Sequence, residues 1–268
     1  MITVHQNTKF NLEQGLTIEN LFSSEILQNI ELFKSGKLDY LIIRGMPVSE
    51  ILPNTPLEIR EQTFPELEKN ILTTIAQYLG AISDKGIEHT IRFNLEGEGT
   101  NNETWHSHFQ FKSSLFYCVR ADESAKTYYL VAGNVARSAG ELLPDLLTPY
   151  SYIADTPAFP LIELHDGTYT FSKYIFERSE LEKFVKDLDL PDAVKMLRKI
   201  VKNVTDKKYA HAAAFLLSQL EDAQEYISYL PGDLVLLHEP RVIRFSPGYK
   251  TNIPVERARW LLAVSLEN

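Results

Sequence analysis

Two histidines stand two residues apart in the segment Glu103-Thr-Trp-His-Ser-His-Phe109. In an extended strand, alternate residues share a face, so His106 and His108 would present two imidazoles side by side, with Trp105 and Ser107 behind them. Imidazole is the commonest metal-ligating side chain, so the pair could chelate a metal. It could equally be two polar residues of a strand that lines a solvated cleft. The H-x-H pattern is too short to decide between these by itself.

The elements that position such a pair start from an ordinary soluble composition. The chain has 268 residues, 44% hydrophobic and 24% charged, with a net charge of −9. Its pI is about 5.3. An acidic chain without Lys/Arg clusters offers no counterion-release footprint, which argues against nucleic acid and anionic membrane as partners. The N-terminal residues have no cationic start followed by an apolar run, and no window approaches a membrane span, so a cytoplasmic location is expected. Cys118 is the single cysteine and lies in the apolar run LFYCV. It reads as a small buried hydrophobe in a reducing compartment.

Along the chain, apolar residues at helical spacing predict an amphipathic helix over 17–34 and a second from about Pro56 to Gly80. Between them LDYLIIRGMP, 38–47, reads as a buried strand closed by Gly45 and Pro47. From Ile91 the texture becomes β-rich: TIRFNLE, KTYYLVAG, YSYIAD, PLIELHDGTYTFSKYIF, AQEYISYLPGDLVLLHEPRVIRFSP and RARWLLAVSLE. His165-Asp-Gly-Thr168 is expected to be a hairpin turn, because Asp-Gly tolerates the positive φ such turns need. A helical insertion is expected at about 179–220. No linker or repeat cuts the chain, so a single domain over 1–268 is expected, mixed α+β, with a β core and helices outside. Among the other histidines, His5 is terminal, His89 falls in an expected loop, His165 in a turn and His211 at the start of an Ala-rich helix.

Taken with ETWHSHF and the AKT-Y-Y at 126–129, the stretch from Tyr229 to the C-terminus, with its P-G-D, R-V-I-R and R-W-L-L-A blocks, resembles the clavaminate synthase-like and taurine dioxygenase-like Fe(II)/2-oxoglutarate oxygenases. That group includes carbapenem synthase, of similar length. The resemblance spans residue 38 to the end and implies a double-stranded β-helix, or jelly roll, with flanking helices. It also implies Fe(II) and 2-oxoglutarate as cofactors and a small-molecule substrate. Iron in that family sits on two histidines and one carboxylate, and an arginine clamps the far carboxylate of 2-oxoglutarate.

Matched position by position, the first metal histidine falls on His106, the acidic ligand on His108 and the distal histidine on Arg244. The threonine that helps hold 2-oxoglutarate falls on Thr127. In the R-W-L-x-R block the first arginine falls on Arg259 and the clamping arginine on Ala263. An arginine does not deprotonate, so Arg244 cannot ligate a metal. Beside a divalent ion it would cost on the order of several kcal/mol in repulsion. A third donor would then come from His238, Glu103 or water, and Arg244 or Arg257 would take over as carboxylate partner.

Three readings follow. One is an Fe(II) oxygenase with a rearranged site. Another is a metal-independent enzyme in which His106 and His108 act as acid and base and Arg244 anchors a carboxylate. The third is a non-catalytic relative that binds a small acid or a protein. The first two, and the third where its ligand is a small acid, expect an anionic ligand near Arg244.

Overall fold

The structure is a computed structural model that describes residues 2–6, 16–50, 64–92, 112–121, 126–154, 156–165, 167–172, 175, 193–222, 224–239, 241–245 and 259–267. The helix expected over 17–34 forms as two: α1 (Ile18–Leu21) and α2 (Ser24–Lys34). The break is local chemistry. The Ser23 hydroxyl accepts from the Ile26 amide and starts a new helix, with extended backbone on its own φ, ψ. The second expected helix appears as α3 (Glu66–Leu79), ending at Gly80 as anticipated, while residues 51–63 lie outside the described residues.

Strands β1 (Ile2–His5), β2 (Tyr40–Arg44), β3 (Ile82–Arg92), β4 (Ser113–Arg120), β9 (Leu234–His238) and β11 (Arg259–Leu266) form a six-stranded sheet in the order β1-β2-β9-β4-β11-β3. Its pairings are antiparallel except for β1 on β2. A three-stranded sheet, β10-β5-β8, is built from β5 (Lys126–Val131), β8 (Gln224–Ser228) and β10 (Val242–Phe245). β6 (Ile162–His165) and β7 (Thr168–Phe171) pair as the expected hairpin, with Gly167 at φ 77° in its turn.

The central strands are apolar on both faces because both faces are covered. Leu41, Ile43, Leu115, Tyr117, Leu234, Leu236, Leu262 and Val264 turn toward Ile26, Ile30 and Phe33 of α2 and Ile71, Ile75 and Leu79 of α3. The alternate residues Tyr40, Ile42, Phe116, Cys118, Val235, Leu237 and Leu261 pack on the other side with Val242 of β10. Period-2 alternation thus divides one sheet between a helical layer and the smaller sheet. A further cluster joins β6 and β7 to α4 (Ala132–Leu142), α5 (Ala193–Asn203) and α6 (Lys207–Asp222).

Several expectations need correcting. β3 begins at Ile82, well before Ile91, so His89 lies in a strand, where its Nδ1 accepts from Trp260 Nε1 at 3.0 Å and its ring stacks on Phe64. KTYYLVAG is strand only to Val131, and the helix α4 that follows was not expected. YSYIAD forms no strand, only an isolated bridge from Tyr150 to Phe159. The insertion expected at 179–220 is described as α5 and α6, ending at Asp222, while 176–192 lie outside the described residues. Cys118 is buried as expected, and burial pushes its thiol up from the ordinary range. Among the described residues no helix is long and apolar enough to cross a membrane.

Candidate functional site

The register of the smaller sheet gathers two of the residues singled out from sequence. Arg244 of β10 stands opposite Tyr129 of β5, and Val242 opposite Val131. Directly opposed residues of an antiparallel pair share a face, as do alternate residues of one strand. Positions 127, 129 and 131 therefore share a face with 242 and 244. Thr127 is the diagonal neighbour of Arg244, about 7–8 Å away in such a ladder. Val242 identifies which face this is, because it is fully buried among Phe116, Cys118, Val235 and Leu261 of the larger sheet. Positions 127, 129 and 244 thus belong to the face turned toward the larger sheet.

β11 supplies part of the opposite wall. Arg259, Leu261 and Ala263 alternate along one side of that strand, with Leu261 beside Cys118 and Ala263 beside Phe116 in β4. Arg259 is 2% exposed, and its guanidinium lies 5.2 Å from the centre of the Tyr229 ring. Such a cation over an aromatic face is stabilised by the ring quadrupole, more so when desolvated. Arg259 and Asp233 act on the same thiol in opposite senses: after burial, Asp233 raises Cys118 and Arg259 lowers it. Within β11, Ala263 is the residue that is only partly buried.

The P-G-D block is structural. Gly232 has φ +82°, and a Cβ there would lie 2.2 Å from the Met46 carbonyl oxygen, so only glycine fits. The Gly232 amide donates to the Cys118 carbonyl, its carbonyl accepts from the Met46 amide, and Asp233 Oδ2 accepts from the Leu230 amide. Asp233 also lies 3.6 Å from Arg44 Nε. The turn thereby ties β2, β4 and β9 together at one end of the larger sheet.

His238 is not placed as a metal donor. Its Nε2 donates to the Phe33 carbonyl at 2.8 Å, and its Nδ1 receives the Ser113 hydroxyl at 3.1 Å. Both nitrogens are occupied, and the ring stacks on Phe33. His106, His108, Glu103 and Arg257 lie outside the described residues. Among the described residues no group of three or more His, Cys, Asp or Glu could hold a metal ion. Position 244 of β10, where the sequence resemblance expects a metal-binding histidine, carries an arginine, whose guanidinium offers no lone pair to a metal.

Comparison with solved structures decides the architecture. The chain superposes on the non-heme iron oxygenase OrfP bound to Fe and alpha-ketoglutaric acid with a TM-score of 0.61 at 14% identity, covering 91% of this chain and 80% of that one. The chain carries the fold of a non-heme iron oxygenase. This oxygenase fold also matches an OrfP variant bound to (3S)-hydroxy-L-Arg, with a TM-score of 0.62 at 14% identity over 91% of this chain and 80% of that one. The complex of OrfP with Fe and L-Arg gives 0.60 at 14% identity over the same shares. No family model matches the chain, and no curated protein matches it. A sheet core flanked by helices, as in these oxygenases, is therefore what the sequence resemblance correctly anticipated.

The sequence reading did not pair position 129 with 244, which the register places directly opposite each other. It also missed Tyr229 beside Arg259, because nothing local links the two, thirty residues apart.

Proposed function

We propose that the space between the two sheets binds a small carboxylate-bearing molecule, and that the chain is an oxygenase-fold relative of the clavaminate synthase-like and taurine dioxygenase-like group with an altered metal site in a single jelly-roll domain. The observation that carries this reading is the common face of Thr127, Tyr129 and Arg244, set toward the face of the larger sheet on which Arg259 and Ala263 alternate with Leu261. Arg244 supplies the cation for the carboxylate, through the bidentate geometry a guanidinium offers, and Thr127 supplies a hydroxyl. His106 and His108 act on the ligand as acid and base, a role imidazole fills near neutral pH without a metal. Fe(II) and 2-oxoglutarate are the cofactors of the resembling family, and Arg244 and Ala263 stand where that chemistry needs an imidazole and a guanidinium.

The test is aerobic incubation of the purified protein with Fe(II), 2-oxoglutarate and a panel of amino acids and small acids, following succinate. Succinate no higher than in a protein-free control is the expected result. Enzyme-dependent succinate formation would overturn the altered-site reading.

A further inference from the structure

A cleft of about 420 Å³ opens between the segment that enters β2, the start of α4 and the turn before β10. Three cations line it, one from each of these elements: Lys37, Arg137 and Arg241. Among the described residues its only lining carboxylate is Asp39, which lies 3.3 Å from Arg241 Nη1. Three positive charges against one negative leave two uncompensated, on a chain whose net charge is −9. Such a local reversal of sign focuses anions where the overall field repels them.

The cations are also available. Arg241 directs Nη1 at both of its protein partners, the Gly36 carbonyl at 2.8 Å and Asp39, which anchors the guanidinium while Nε and Nη2 take no partner among the described residues. Lys37 and Arg137 are exposed and make no side-chain hydrogen bond or ion pair among the described residues. Arg137 and Asn134 lie one turn apart on α4, so the helix offers a guanidinium and an amide from one face. No acidic residue stands in the first turn of α4 to neutralise them. Asp39 lies in the fields of both Arg241 and Arg137.

We propose that this cleft is a binding site for a small phosphomonoester, its dianionic head held by Lys37, Arg137 and Arg241 and its organic part in the remaining volume. Two uncompensated charges match a dianion better than a monoanion, and guanidinium groups pair with phosphate oxygens in a fork geometry. The cavity is larger than a bare tetrahedral oxyanion needs, which favours an ester.

The test is calorimetric titration of the full-length protein at fixed ionic strength with phenyl phosphate, inorganic phosphate and dimethyl phosphate. Phenyl phosphate is expected to bind saturably and more tightly than inorganic phosphate, with no measurable binding of the monoanionic dimethyl ester. Arg137→Glu and Lys37→Glu, both at exposed positions, should each weaken phenyl phosphate at least about tenfold, the scale of a lost charge-assisted contact. Lys199→Glu, the same charge change at an exposed position of α5 outside the cleft, should leave it unchanged. Absent binding of phenyl phosphate, equal binding of dimethyl phosphate, or indifference to both glutamate variants would overturn the proposal. Inorganic phosphate binding as tightly as the ester would overturn the assignment of an organic phosphate.

Discussion

The His238 ring lies parallel to that of Phe33, centroids 4.2 Å apart, while its Nε2 donates to the carbonyl of the same phenylalanine. One residue thus fastens β9 to the end of α2 twice. Burial, chiefly, lowers its pKa from 6.5 to about 4, the Phe33 and Lys112 carbonyls opposing and the charges of Arg241 and Lys112 adding to the shift. A folded pKa below the unfolded one means that the unfolded chain binds the proton first as pH falls. The His238 contribution is therefore intact above about pH 6.5 and is lost between there and about pH 4, on the order of 3 kcal/mol in all. Asp39 and Asp233, whose carboxyls burial raises, act in the opposite sense at the acid end. Urea unfolding across this range should show stability falling toward acid, with a shallower slope in His238→Gln. Parallel profiles for the two proteins would contradict the assignment.

Gly232→Ala should destabilise by about 2–4 kcal/mol, combining the cost of a side chain at positive φ with displacement of the Met46 carbonyl. Chemical denaturation measures it. A loss under about 0.5 kcal/mol, the usual range for an unconstrained surface position, would show that the turn relaxes freely.

Glu68 is fully buried among the apolar residues of α3, and its two carboxylate oxygens accept from the Ser49 amide at 2.5 Å and the Ser49 hydroxyl at 2.7 Å. Glu68→Leu leaves that amide unsatisfied and should cost about 1–3 kcal/mol. Glu68→Gln keeps one acceptor for the amide and a donor for the hydroxyl oxygen, so it should cost less. The reverse ranking in thermal unfolding would argue that Ser49 finds other partners.

Much of this framework was legible in the sequence because it rests on local rules. The apolar run at Tyr40–Arg44, the Asp-Gly turn after His165 and the helix stop at Gly80 each carry their own signal. His89 misled because its neighbours are polar, and its strand is held by pairing with β11 rather than by its own composition. His238 misled for a related reason. A histidine six residues before Arg244 looks like a candidate ligand until α2, two hundred residues earlier, is found to occupy its Nε2. The common face of Thr127 and Arg244 is a matter of long-range register, which no local spacing reveals.

If the metal site has been altered by substitution, restoring its parts should restore its ligand. Arg244→His with Ala263→Arg should bind 2-oxoglutarate in an Fe(II)-dependent manner only when His108→Asp is added, which rebuilds a two-histidine, one-carboxylate face. Anaerobic iron titration measures this. Stoichiometric iron in Arg244→His alone would show instead that His108 already serves as a donor.

Carboxylate binding at Arg244 is measured by calorimetric titration of the metal-free protein with succinate, 2-oxoglutarate and other small acids, in parallel with Arg244→Gln. Saturable binding of at least one small carboxylate without metal is expected, with a loss of about 2 kcal/mol or more in the variant, the scale of a charge-assisted hydrogen bond. Binding that survives Arg244→Gln undiminished, or that appears only once Fe(II) is added, would contradict it.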